Sequence, residues 1–140
     1  MPSLYDYRIF ISHAWSYGSD YSRLKRLLDA APLFRYWNYS APEDNPLELS
    51  RPNAPRYEIA QKISNKIALA QVVIVISGMY TNYSDWMKYE IDEACRMGKP
   101  IIAVRPYGNS VMPTYVYTRA TECVNWSTDS IVSAIRRVVK

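Results

Sequence analysis

The sequence predicts an α/β fold: a flavodoxin-like three-layer sandwich whose five-stranded parallel sheet is covered by helices on both faces. Three observations predict it. Short runs that are apolar throughout (Ile9 to Ile11, Val72 to Ile76, Ile101 to Val104) read as strands buried on both faces. Stretches with apolar residues at helical spacing lie between them. The two patterns alternate along 140 residues, a length that suits one domain over residues 1–140.

The elements follow in order. Arg8 to Ser12 is the first strand, and Tyr21, Leu24, Leu27 and Leu28 mark a helix that Pro32 stops. Leu33 to Trp37 reads as the second strand. Residues 40–55 carry Pro42, Pro46, Pro52 and Pro55 among charges and Asn, which makes a long loop and a candidate lid. Pro55 suits the first turn of the next helix, where its missing N–H costs nothing; Ile59, Ile63, Ile67 and Ala70 form the inward stripe. Val72 to Ile76 is the central strand, ended by Ser77-Gly78. Asn82 or Ser84 caps a helix with Met87, Ile91 and Ala94 inward, terminated by Gly98 and Pro100. Ile101 to Val104 is the fourth strand, and residues 106–121, irregular around Pro113, carry no helix. Glu122 to Trp126 is a short edge strand. Ser127 or Asp129 then opens a last helix with Ile131, Ala134, Ile135, Val138 and Val139 inward.

Composition removes several function classes. Hydrophobic residues are 49% and charged residues 21%, enough apolar material for a core. The longest apolar run, Val72 to Ile76, is far below the roughly 20 residues of a bilayer span. Met1 to Asp6 has no basic patch followed by an apolar stretch, so the expected location is cytoplasmic, with no membrane partner. The net charge is +4, but its basic residues are spread over helical patterns as solvated faces, and no nucleic-acid partner is expected. Cys95, Cys123 and the single His13 cannot build a zinc site, so no metal is expected. Four glycines allow neither GxGxxG nor a Walker loop, which sets aside the usual dehydrogenases and NTPases. A phosphate-accepting receiver domain needs acidic residues at the first and third strand ends, where this chain has Ser12-His13 and Ser77-Gly78.

Open parallel sheets bind ligands at the carboxyl ends of their strands, which points to residues 13–20, 40–55 and 77–85. Within the helix that follows the third strand, Trp86 and Glu90 are four residues apart and share one face beside the Met87–Ile91 stripe. Alone, the pair fits a core Trp with a dipole-favoured Glu as well as it fits a site.

The order of motifs distinguishes them. Arg8 to Trp15 (RIFISHAW), the apolar strand Val72 to Ser77, the WxxxE helix of Asp85 to Ile91, Gly98 to Val104, and Val124-Asn125-Trp126 resemble a TIR domain. The closer resemblance is to the TIR-like family containing the ThsB proteins of Thoeris antiphage systems. It implies an enzyme that breaks the nicotinamide–ribose bond of NAD+, with NAD+ as substrate, no cofactor, and Glu90 in the catalytic position. Loss of nicotinamide leaves an oxocarbenium-like ribose, which a fixed carboxylate stabilises. Water as acceptor gives ADP-ribose. A nucleophile in the adenosine half gives a cyclic ADP-ribose isomer, the expected outcome, as a diffusible signal for a separate effector.

The expected substrate-binding residues are Ser12, His13, Trp15, Ser77, Asp85 and Trp86. Each has a plainer alternative. Ser12 and Ser77 can cap strand ends, His13 can bond a neighbouring loop, and Asp85 can charge the helix start. Trp15 and Tyr17 can wall a ring site, whereas Tyr21 belongs to the core stripe. Family likeness and the tyrosine-bearing loops also imply a homo-oligomer when active. Two rival functions stay open: a non-catalytic TIR-like interaction module, and a nucleoside deoxyribosyltransferase-like enzyme.

Overall fold

The computed structural model describes residues 6–13, 19–39, 55–80, 85–106 and 111–139. Its elements in chain order are β1 (Asp6–Ser12), α1 (Ser19–Asp29), β2 (Arg35–Asn38), α2 (Arg56–Leu69), β3 (Val72–Ile76), α3 (Asp85–Arg96), β4 (Ile101–Val104), α4 (Thr114–Arg119), β5 (Glu122–Val124) and α5 (Thr128–Val138). A 3₁₀ turn, Ser77–Met79, follows β3. The sheet order is β2-β1-β3-β4-β5 and every pairing is parallel. This is the flavodoxin-like α/β sandwich that the alternating patterns predict. Strand order reverses between β1 and β3, so the ligand crevice of such a sheet opens at their carboxyl ends.

Strand alternation divides the core into two layers. Ile9 and Ile11 of β1 pack with Ile74, Ile76, Ile102 and Val104 against Leu24 and Leu28 of α1 and Ile131 and Ile135 of α5. Phe10 packs with Val73, Val75, Ile101 and Ala103 against Ile63 and Ile67 of α2 and Met87 and Ile91 of α3. All five side chains of β3 are buried because helices cover the sheet centre on both sides. None of the described helices is long and apolar enough to cross a membrane.

The structure corrects the sequence reading at four places. Strand β2 starts at Arg35, because Leu33 takes a left-handed turn (φ 55°) and is 71% exposed. Residues 106–121 do contain a helix, α4, entered from Pro113 and anchored by the buried Val116. Strand β5 ends at Val124, and Trp126 turns back to donate its indole N–H to the Arg105 carbonyl at 2.8 Å. Pro55 stands one residue before α2, in extended conformation, rather than inside its first turn. Ser127 is the cap of α5, its hydroxyl accepting the Ser130 N–H at 3.1 Å. Gly98, at φ 71°, ends the α3 turn in a conformation few side chains tolerate. The expected caps Asn82 and Ser84, and the proline-rich segment before Pro55, lie outside the described residues.

Candidate active site

Alternation along β1 sends Phe10, and then Ser12, to the α2/α3 face. Helix α3 presents Glu90 to the same layer, beside the core residues Met87 and Ile91. The two meet at the carboxyl end of β1: Ser12 Oγ donates to Glu90 Oε1 at 2.6 Å, and both side chains are buried. Burial in an apolar layer pushes the Glu90 carboxyl up to about 8, opposed by the Ser12 hydrogen bond, which favours the ionised form. Among the described residues no cation offsets the burial. Glu90 is therefore a carboxyl poised to change protonation near neutral pH.

Ser77, at the end of β3, is fully buried, and its hydroxyl has no hydrogen-bond partner among the described residues. His13 is also buried, but alternation turns it to the opposite face from Ser12. Its ring stacks on Tyr21 of α1 (centroids 4.2 Å apart, planes 28°), and its Nδ1 lies 3.0 Å from the Ile11 carbonyl oxygen. Ser12 and Glu90 are thus brought together, and His13 sits in the other core layer.

Asp85 and Trp86 open α3 and line a surface groove of about 450 Å³ between α2 and α3, with Arg56, Tyr57, Lys88 and Tyr89. The Trp86 ring meets Tyr89 edge-on at 5.8 Å and lies under the Arg56 guanidinium at 4.7 Å. Glu90 is not in the described lining of that groove. Nor does it line a second groove, of about 420 Å³, between the carboxyl ends of β4 and β5 and α5. Trp15 and Tyr17 lie outside the described residues, as do most of residues 13–20 and 40–55 and part of 77–85.

Sequence reasoning passed over a second carboxylate on α3. Glu93 accepts from Ser64 Oγ of α2 at 2.7 Å and from Arg96 Nε and Nη2 at 2.7 and 2.8 Å. Those bonds hold its carboxyl down to about 2, a fixed charge tying α2 to α3. The signal for it in the sequence was the Glu93–Arg96 spacing on one helix face. Asp92 was passed over as well; it accepts the Tyr115 hydroxyl and so docks α4 on α3.

Among curated proteins no sequence matches this chain. Residues 10–110 match the family described as Thoeris protein ThsB, TIR-like domain. The match runs from within β1 past β4, and includes Ser12, Ser77 and Glu90. With well over half of the 140 residues matched, the chain belongs to the TIR-like domain family of the Thoeris protein ThsB.

Proposed function

We propose that this chain is an NAD+-cleaving enzyme that releases nicotinamide and forms a cyclic ADP-ribose-type or related nucleotide signal in antiphage defence. The observation that carries the reading is Glu90, a buried carboxyl with no cation beside it among the described residues, held by Ser12 where the sheet opens between β1 and β3.

The chemistry asks for little more. In NAD+ the ring nitrogen of nicotinamide is already positively charged, so it departs with the bonding pair as a neutral molecule. The leaving group needs no proton, and a second carboxyl acting as general acid is dispensable, unlike in glycoside hydrolysis. What remains to be stabilised is the positive charge developing on the ribose. Ionised Glu90, in a low-dielectric site, supplies the opposite charge where a water molecule would supply much less. Attack by water then yields ADP-ribose and a proton. Attack by a nucleophile in the substrate's own adenosine half yields a cyclic product and a proton.

The test is direct. Purified protein is incubated with NAD+ and nicotinamide is followed, alone and under conditions that promote assembly. Release by the wild-type chain and its loss in Glu90→Gln support the reading; undiminished release by Glu90→Gln refutes it. Competition by free nucleosides with release of free base would favour the deoxyribosyltransferase-like alternative.

A further inference from the structure

We infer that Ser77 is the residue through which the site recognises a hydroxyl of the ribose that carries the scissile bond, while the Ser12 hydroxyl is committed to Glu90. The inference rests on the function proposed above and specifies which part of the substrate Ser77 would meet beside Glu90.

It starts from what is buried. Ser77 is fully buried and its Oγ lacks a partner among the described residues. None of the described residues satisfies that hydroxyl, and a buried hydroxyl is rarely left without a partner, so Ser77 has bonding capacity to offer a ligand. The local backbone does not need it. The Ser77 carbonyl accepts the Tyr80 N–H at 3.1 Å and closes the turn after β3, a bond that alanine would make equally well.

Its direction follows from β3. Val73 and Val75 face the α2/α3 layer, and Ile76 is extended (φ −82°, ψ 91°), so alternation carries the Ser77 side chain to that same face. Ser12 pairs in register with Val75. Ser77 therefore lies two residues beyond Val75, just past the carboxyl end of β3 and nearer the ligand edge than Ser12. Ser12 with Glu90, then Ser77, follow one another on the α2/α3 side of the sheet at the carboxyl ends of β1 and β3.

The ligand group must be neutral. The buried polar side chains among the described residues are Ser12, His13, Ser77, Glu90 and Glu93, with no Lys or Arg. A phosphate on this face would be an unpaired buried charge next to a carboxyl that becomes negative. A sugar hydroxyl carries no charge and both donates and accepts. It can accept a hydrogen bond from the Ser77 hydroxyl while it, or the vicinal hydroxyl, donates one to Glu90.

Equilibrium binding and nicotinamide release are measured separately for the wild-type chain and Ser77→Ala. The ligands are NAD+ and two analogues lacking the 2′- or the 3′-hydroxyl of the nicotinamide ribose. The wild type should bind one analogue roughly 10- to 100-fold more weakly than NAD+. Ser77→Ala should weaken NAD+ by a similar factor and no longer distinguish that analogue, since both changes remove the same bond. Its thermal midpoint should not fall, because the hydroxyl has no partner to lose among the described residues. A variant that discriminates the analogues as the wild type does, or that only loses thermal stability, overturns the inference and leaves the Glu90 reading standing. Discrimination that depends on Ser77, with no nicotinamide released by the wild type, supports the hydroxyl site and overturns the cleavage reading. Failure of the wild type to bind any of the three ligands overturns both.

Discussion

Glu90 and Glu93 stand one turn apart on α3, and their surroundings drive their carboxyls in opposite directions: up to about 8 for Glu90 and down to about 2 for Glu93. Both are on the buried side of the helix, so burial alone does not explain the difference. Glu93 faces α2, and Ser64 of α2 and Arg96 of its own helix supply donors to its oxygens. Glu90 faces the end of β1 and receives a single hydroxyl. One helix thus carries a structural carboxylate that is charged at neutral pH and a second carboxyl that titrates far above the first.

Replacing Glu90 by Gln keeps its size and an oxygen able to accept from Ser12, and removes only the charge. Nicotinamide release should fall at least about 100-fold, the scale of losing one preorganised electrostatic group. Circular dichroism should be unchanged. A variant that folds and retains more than about a tenth of wild-type release, an order of magnitude above that expectation, would remove Glu90 from the reaction.

The pH profile should carry the same signature. The carboxylate is the form that stabilises a cation, so kcat/KM should climb with pH through the Glu90 transition, near 8 in the free protein, and level off above it. The Ser12 bond favours the ionised form. Ser12→Ala should therefore displace the rise to higher pH, with part of the lost activity recovered in alkaline buffer. A uniform loss at every pH would instead make Ser12 a packing residue only.

Stability should respond with the opposite sign. Glu90 has a folded pKa above its usual 4.5, so the folded protein holds a proton that the unfolded chain releases. Its contribution is complete below about pH 4.5 and declines as pH rises toward about 8. The loss is of the order of a few kcal/mol, since a tenfold difference in proton affinity between the folded and unfolded chain is worth about 1.4 kcal/mol. Thermal midpoints of wild type and Glu90→Gln, measured across neutral pH, should diverge in favour of the variant as pH rises. Parallel curves would mean that Glu90 is not desolvated in solution.

Much of this was legible in the sequence, for identifiable reasons. Val72 to Ile76 and Ile101 to Val104 are apolar throughout because helices cover both faces, and together with the helical stretches between such runs this points to a parallel sheet. Helix α4 was not legible. Its residues, Thr-Tyr-Val-Tyr-Thr-Arg, are mostly β-branched or aromatic, and only Val116 is buried, so it has neither propensity nor a stripe. In the site, WxxxE singled out Glu90, but not which way Trp86 would turn. Residues four apart are offset by about 40° around a helix, and packing against α2 uses that offset. Trp86 lies under Arg56 of α2 while Glu90 reaches β1. The pairing of Ser12 with Glu90 was available from phase, since Ser12 shares the face of Phe10, but only the sheet order brings β1 beneath α3.

Glu93 supplies the last contrast. Its folded pKa lies below the ordinary value, so its contribution is present above about pH 4.5 and is lost as pH falls toward about 2. Solvent screens the pair, because the Arg96 side chain is 64% exposed, and this cuts the contribution to the order of 1–2 kcal/mol. Glu93→Gln should lower the unfolding free energy in denaturant at neutral pH by that amount while leaving the alkaline rise in nicotinamide release where it was. In strong acid, near the Glu93 transition at about 2, the wild type and the variant should converge. If Glu93→Gln also moved the rise in release, the two carboxyls would act on each other, and the division of α3 into a structural and a chemical carboxyl would fail.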